Sequence, residues 1–225
     1  LIDVNLKDYM GTDLSVVNAA RVSFGKETEE FNTSDANLIK FLAKHRHMSP
    51  FGHCFATFHV KAPIFVARQL VKHKFLRWNE ISRRYVNDGI SFYYPEVWRS
   101  KATDKKQGSG PALADQEIDL GTTHTVVAQL YNSLIDKGVC PEQARMVLPQ
   151  NTMTEWWWSG SLDAWADMCN LRRKDDTQYE TRLVANAISM DMKGLYPASW
   201  EALVSVTHNL KRNYPMTLSL EELVK

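Results

Sequence analysis

An α+β fold is the class this sequence predicts, on three observations. Segments with helical periodicity and segments of alternating or aromatic residues are mixed along the chain without a regular strand–helix alternation, which disfavours a doubly wound sheet. Neither G-x-G-x-x-G nor G-x-x-x-x-G-K-[ST] occurs, so a Rossmann or Walker nucleotide site is not supported. The 225 residues, 44% hydrophobic and 24% charged, are ordinary for a globular chain that buries a sizeable core. The length fits one domain, or two small ones, and the reading adopted is one domain over 1–225.

The elements follow in order. A short strand opens the chain, and a helix over 14–22 follows with Asp13 as a candidate N-cap. Ser34 is placed to cap a second helix running to His45, whose apolar face carries Ile39, Phe41 and Leu42. The alternation HCFATFHV over 53–60 predicts a strand. Pro63 suits the first turn of a helix reaching about Lys74, on which Ile64, Ala67, Leu70 and Val71 form the apolar side. Residues 92–94, before Pro95, are extended. The polar stretch RSKATDKKQGSG over 99–110 reads as a surface loop or a disordered segment. A long helix is expected over 112–137, closed by Gly138, then a short helix from Pro141 that carries Arg145. A strand over 152–158 and helices over 162–171, 177–193 and 198–206 complete the reading.

Charge bounds the function. Lys+Arg number 27 against 26 Asp+Glu, so a general nucleic-acid coat protein is disfavoured. The apolar runs are too short to span a bilayer, and LIDVNLKDYM has neither the basic start nor the apolar run of a signal peptide. No nucleic-acid or membrane partner is expected. The three scattered cysteines, Cys54, Cys140 and Cys169, form neither a disulfide framework nor a CxxC zinc pair, which points to a reducing, cytoplasmic setting. His47, His53, His59 and His73 are spaced by six, six and fourteen, which matches no ligand pattern, so no metal is expected.

Against that neutral background, ARQLVKHKFLRWNEISRRY over 67–85 holds six cations and one carboxylate, Glu80. A local excess of one sign calls for an anionic partner. The plain alternative is a solvated helix face. Two details favour a site: Lys72-His73-Lys74 falls where the helix ends, and Ser82 and Arg84 are spaced to point the same way on a strand. Arg83 and Arg84 can grip a phosphate through paired hydrogen bonds. Arg145, in an apolar setting, and Arg172, at a helix end, are either structural ion pairs or further anion contacts. Cys54 and Cys169 read as buried apolar residues, Cys140 as a weak nucleophile candidate with no base beside it, and Trp156-Trp157-Trp158 as packing.

These residues carry a resemblance. Lys72-His73-Lys74, seven residues, then Ser82 resembles the Arg-His-Arg-x7-Ser signature of flavin-dependent thymidylate synthases. ARVSF (20–24), HMSPFGH (47–53), FHVKAPIFVARQ (58–69), NEISRRY (79–85), ARMVLP (144–149) and NLR (170–172) resemble the family's blocks, in order. The resemblance covers nearly the whole chain, the loop at 99–110 excepted. It implies a central, mostly antiparallel sheet flanked by helices, in a homotetramer with active sites at subunit interfaces. It also implies FAD, with NADPH as reductant, and transfer of the one-carbon unit of methylenetetrahydrofolate to C5 of dUMP.

Carried over by position, Ser49, Lys72, His73, Lys74, Glu80 and Ser161 would contact FAD. Gln69, Lys72, Glu80, Ser82, Arg83, Arg84, Arg145 and Arg172 would hold dUMP, with Tyr85 in support and Arg172 as the catalytic charge. The chain departs from the family at several positions. Lysines replace both signature arginines. Ser161, Asp163 and Asp167 stand where Asn, Arg and Asn are usual, Gly52 replaces a frequent Glu, and Asp176 a frequent His. Arg77 is bulky where a small residue is common, which keeps open a related enzyme with altered base preference or hydroxymethyl transfer. A non-catalytic nucleic-acid-binding module is the other alternative.

Overall fold

The computed structural model describes residues 1–85, 89–103, 108–113 and 118–204. Its centre is an antiparallel sheet in the order β1 (Asp3–Met10), β2 (Phe55–Pro63), β6 (Met153–Ser161), β3 (Arg77–Glu80). Strands β4 (Arg99–Lys101) and β5 (Ser109–Ala112) form a separate hairpin. The α+β reading and the antiparallel sheet flanked by helices hold.

β2 and β6 pair without a break from Phe55↔Ser161 to Pro63↔Met153. Period-two alternation sends Ala56, Phe58, Val60 and Ala62 of β2 into the core, with Trp156 and Trp158 of β6 beside them. Behind this face lie α6 (Leu162–Arg172) and α7 (Tyr179–Leu195). Trp165 of α6 meets Phe58 edge-on at 5.0 Å and Trp158 at 4.9 Å, while Trp78 of β3 stacks on Trp156 at 4.3 Å. Such pairs add about 0.5–1.5 kcal/mol each beyond their burial. Two tryptophans of the 156–158 run are therefore core, as expected. Trp157 faces the other side of the sheet and is half exposed.

Several boundaries differ from expectation. Thr12, not Asp13, is the N-cap of α1 (Asp13–Arg21), and Asn32, not Ser34, caps α2 (Thr33–Lys44) by accepting from Ser34 N at 2.9 Å. The Asp13 carboxylate is buried and turned elsewhere. It accepts from Ala198 N at 2.8 Å and Ser199 N at 2.9 Å, at the start of α8 (Pro197–Leu203). The helix expected over 198–206 ends at Leu203, where Val204 turns extended, and residues 205–206 lie outside the described residues.

α3 (Ile64–Leu70) stops four residues short of Lys74. The chain leaves the helix to bury Leu76 beneath β6, where an added Cβ on Gly160 would lie 2.2 Å from Leu76 Cδ2. Ser82 and Arg84 lie in a turn, closed by Tyr85 N donating to Ser82 O at 3.0 Å, rather than on a strand. The loop expected at 99–110 is, in its described part, the β4–β5 hairpin, and Ala112 belongs to that hairpin. The long helix therefore starts later, as α4 (Gly121–Asp136). α5 (Pro141–Ala144) gives way to a 3-10 turn over Arg145–Val147.

Candidate active site

A cavity of about 900 Å³ opens beside the sheet, between the end of α3, the start of α4, the hairpin and the connection from α6 to α7. Gln69, Lys72 and Arg172 line it, so three residues singled out in the sequence come together there. Phe65, Tyr93 and Trp98 give it an aromatic side.

Arg172, the last residue of α6, is held by two acceptors from the α3 end. Its Nε donates to His73 Nε2 at 3.0 Å, and a terminal nitrogen donates to the Gln69 carbonyl at 2.9 Å. Because His73 Nε2 accepts, its proton sits on Nδ1. Burial, reinforced by the Arg172 charge, pushes the His73 imidazole down to about 4, so the ring is neutral at pH 7. Burial also pulls the Arg172 guanidinium below its usual range. It remains charged, and no carboxylate pairs with it among the described residues. The Gln69 amide donates to Gln178 Oε1, which ties the α6–α7 connection to α3.

The other candidates lie elsewhere on the chain. Glu80 is exposed at the end of β3, with its carboxylate fixed by Thr154 Oγ1 at 2.7 Å and Trp78 Nε1 at 3.2 Å. Arg84 donates to Ser82 Oγ through its backbone N and its Nε, at 3.3 and 3.2 Å, and lies 3.9 Å from Glu142. Arg83 donates to Gly89 O at 3.4 Å. Arg145 is exposed on the turn just after α5. The dUMP candidates thus fall into two sets. Gln69, Lys72 and Arg172 face the cavity, while Glu80, Ser82, Arg83, Arg84 and Arg145 lie outside its lining.

Four of the flavin candidates, Ser49, His73, Lys74 and Ser161, lie toward one end of the sheet, whereas Glu80 pairs opposite Trp156 in the middle of β6. Ser161 ends β6 one residue after Gly160, the glycine against which the 71–76 turn packs. His73 and Lys74 lie on that turn, and Ser49 lies on a 3-10 turn, Ser49–His53, that packs on α6 and β6. A buried oxygen, Asp163 Oδ1 in the first turn of α6, finds no hydrogen-bond donor among the described residues. A buried acceptor left unpaired is costly, and a ligand hydroxyl or amine would relieve it. Two lysines, hydroxyl groups and an orphaned acceptor suit a dinucleotide carrying phosphates, ribitol and adenine, so these residues fit FAD.

Thiol chemistry is out of reach at the buried cysteines. Burial pushes Cys54 and Cys169 up to about 12, so neither holds a thiolate at neutral pH. Cys140 is exposed, away from the cavity lining. No group of three or more metal-capable side chains forms among the described residues.

Sequence reasoning missed the contact of Gln178 with Gln69, the unpaired oxygen of Asp163 and the hairpin's contribution. The Gln178-Tyr179-Glu180 run reads as ordinary helix-start chemistry, and no local pattern shows that Gln178 meets a residue 109 positions earlier.

Fold and cavity together define an α+β protein with a cation-lined cleft suited to a flat, anionic ligand. The family model described as thymidylate synthase complementing protein matches residues 5–198. A flavin-dependent thymidylate synthase of Thermus thermophilus is 44% identical over 202 residues, 88% of this chain and 74% of that protein. Another, of Thermotoga neapolitana, is 37% identical over 207 residues, covering 91% of this chain and 92% of the relative. Among solved structures, a UMP/dUMP methylase, PolB from Streptomyces cacaoi bound with 5-Br dUMP, is similar with a TM-score of 0.81 at 33% identity, over 89% of this chain and 94% of that one. The chain belongs to the flavin-dependent thymidylate synthase family.

Proposed function

We propose that this protein methylates dUMP to dTMP, taking the one-carbon unit from methylenetetrahydrofolate and the hydride from FAD reduced by NADPH. The observation that carries the reading is the Arg172 guanidinium, fixed between His73 and Gln69 on the cavity wall without a carboxylate partner among the described residues. Uracil C5 is a poor nucleophile, and turning a transferred methylene into a methyl group needs a hydride. A bound flavin supplies that hydride. Protein thiolate is not required, in keeping with the inert buried cysteines.

The chain's own residues then bind and stabilise. Arg172 presents a fixed positive charge to the negative charge that develops on the uracil carbonyls, in a site that needs no reorganisation. Gln69, oriented by Gln178, offers amide contacts to the base. Lys72 serves both ligands, and His73 and Lys74 face the flavin with Ser49 and Ser161. Ser82, Arg83, Arg84 and Arg145 bind the nucleotide phosphate, and Glu80, held by Thr154 and Trp78, lies between the two ligands.

A homotetramer with shared active sites is supported by two features. The nucleotide-binding candidates divide between the cavity and another surface. Phe24, Phe75 and Met146 are each more than three-quarters exposed, and a subunit interface would take such side chains out of water.

The test is a flavin absorption spectrum of the purified protein followed by NADPH oxidation in the presence of methylenetetrahydrofolate, with and without dUMP. A yellow protein with dUMP-dependent oxidation and dTMP as product is expected. A colourless protein, unresponsive to FAD and retained on nucleic acid at low salt, would overturn the reading. Running UMP beside dUMP measures tolerance of the 2′-hydroxyl.

A further inference from the structure

The β4–β5 hairpin lies largely in the stretch over 99–110, outside the sequence blocks that carry the resemblance, yet it forms one wall of the cavity through Arg99, Gly108 and Ser109. Its seat is backbone on backbone. Gly108 has φ +83, and an added Cβ would lie 2.9 Å from the Asp176 carbonyl in the α6–α7 connection. Only glycine meets both conditions, so the hairpin rests directly on the connection that carries Gln178.

Arg99 is fixed twice. Its Nε donates to Ser109 Oγ at 2.8 Å across the hairpin, and its guanidinium lies 4.9 Å from the centre of the Tyr179 ring. Its two terminal nitrogens make no hydrogen bond and no ion pair among the described residues. Asp176 and Glu180 also line the cavity, and neither pairs with it. A half-buried guanidinium whose plane is set and whose outer fork is open is preorganised for two oxygens of one anion. The aromatic side of the same cavity accepts a flat ring.

We infer that Arg99 is an anion-binding residue of this cavity, taking the oxyanion end of a substrate whose ring lies against the aromatic wall. The inference rests on the functional reading for its choice of ligands. That reading offers two sources for the oxyanion: the phosphate of dUMP and the glutamate carboxylates of the folate.

The experiment measures equilibrium binding of dUMP, deoxyuridine, folate triglutamate and 6-hydroxymethylpterin, which carries no carboxylate, to the full chain and to Arg99→Ala. The expected result is a loss of about tenfold to a hundredfold in affinity for one anionic ligand, the scale of a hydrogen bond to a charged group. Its counterpart lacking the anion should be unaffected. A selective loss for dUMP assigns the phosphate, and one for the triglutamate assigns the carboxylates. Arg99→Lys should regain part of the loss. Equal affinity of Arg99→Ala and the unsubstituted protein for both anionic ligands overturns the inference. If Arg99→Ala fails to fold, as judged by circular dichroism, Ser109→Ala and Arg99→Lys replace it, and unchanged affinity in both overturns the inference.

The two readings fail separately. Lost dUMP affinity in Arg99→Ala of a protein that forms no dTMP upholds Arg99 and removes the synthase. Undiminished affinity in a protein that does form dTMP does the reverse.

Discussion

A guanidinium that donates to a neutral imidazole keeps its full charge for a ligand, whereas one locked to a carboxylate has spent it. Arg172 is of the first kind. Arg172→Ala is expected to lower kcat by roughly a hundredfold or more, the scale of losing one preorganised donor. Steady-state dTMP formation checks it, and near-normal turnover would remove Arg172 from the chemistry. His73 gives a second prediction. Its pKa falls from 6.5 to about 4 on folding, so below 6.5 the unfolded chain binds more protons than the folded one. The stability tied to neutral His73 is complete above pH 6.5 and is lost as pH falls toward 4. His73→Gln still accepts from Arg172 and does not titrate, so its urea-unfolding stability should fall less across that window. Each of these residues stood out in the sequence by type and company. Their contact did not, because Arg172 and His73 lie 99 positions apart and only the packing of α6 against the α3 end joins them.

Elements show where local signals suffice and where they compete. α2 ends in a Schellman-type turn, with His47 N donating to Leu42 O at 2.9 Å and Arg46 N to Ala43 O at 3.2 Å. Arg46 takes φ 57 there, in the left-handed region that favours glycine. Arg46→Gly should therefore stabilise the protein by roughly 0.5–1 kcal/mol, the relief of strain set against glycine's greater freedom when unfolded. Urea unfolding measures this, and a destabilised variant would show that the Arg46 side chain matters more than its backbone. The caps were misassigned by one or two residues because Thr12 and Asp13, or Asn32 and Ser34, are all good capping types, and only backbone geometry chooses between them. The β2 alternation was legible because one face is core. The hairpin was not, since RSK and SGPA alternate nothing and their pairing is fixed by contact with the α6–α7 connection.

At the scale of the whole molecule, the division of nucleotide-binding candidates into a cavity set and an outward set makes a prediction about assembly. Arg172→Ala and Arg84→Ala, each poorly active alone, should recover dTMP formation when unfolded and refolded together, because a shared site can then draw one intact arginine from each copy. Recovery no greater than the sum of the separate variants would place both arginines in one copy's site. Asp13 links the same scale to synthesis. Its carboxylate, on the first helix, is satisfied by amides 185 and 186 residues later. A nascent chain that has not yet reached those amides must bury an unpaired carboxylate or leave the first strand and helix undocked. The first strand and helix therefore dock fully only once α8 is available, and a chain stopped before residue 198 leaves the Asp13 carboxylate without its two amide donors.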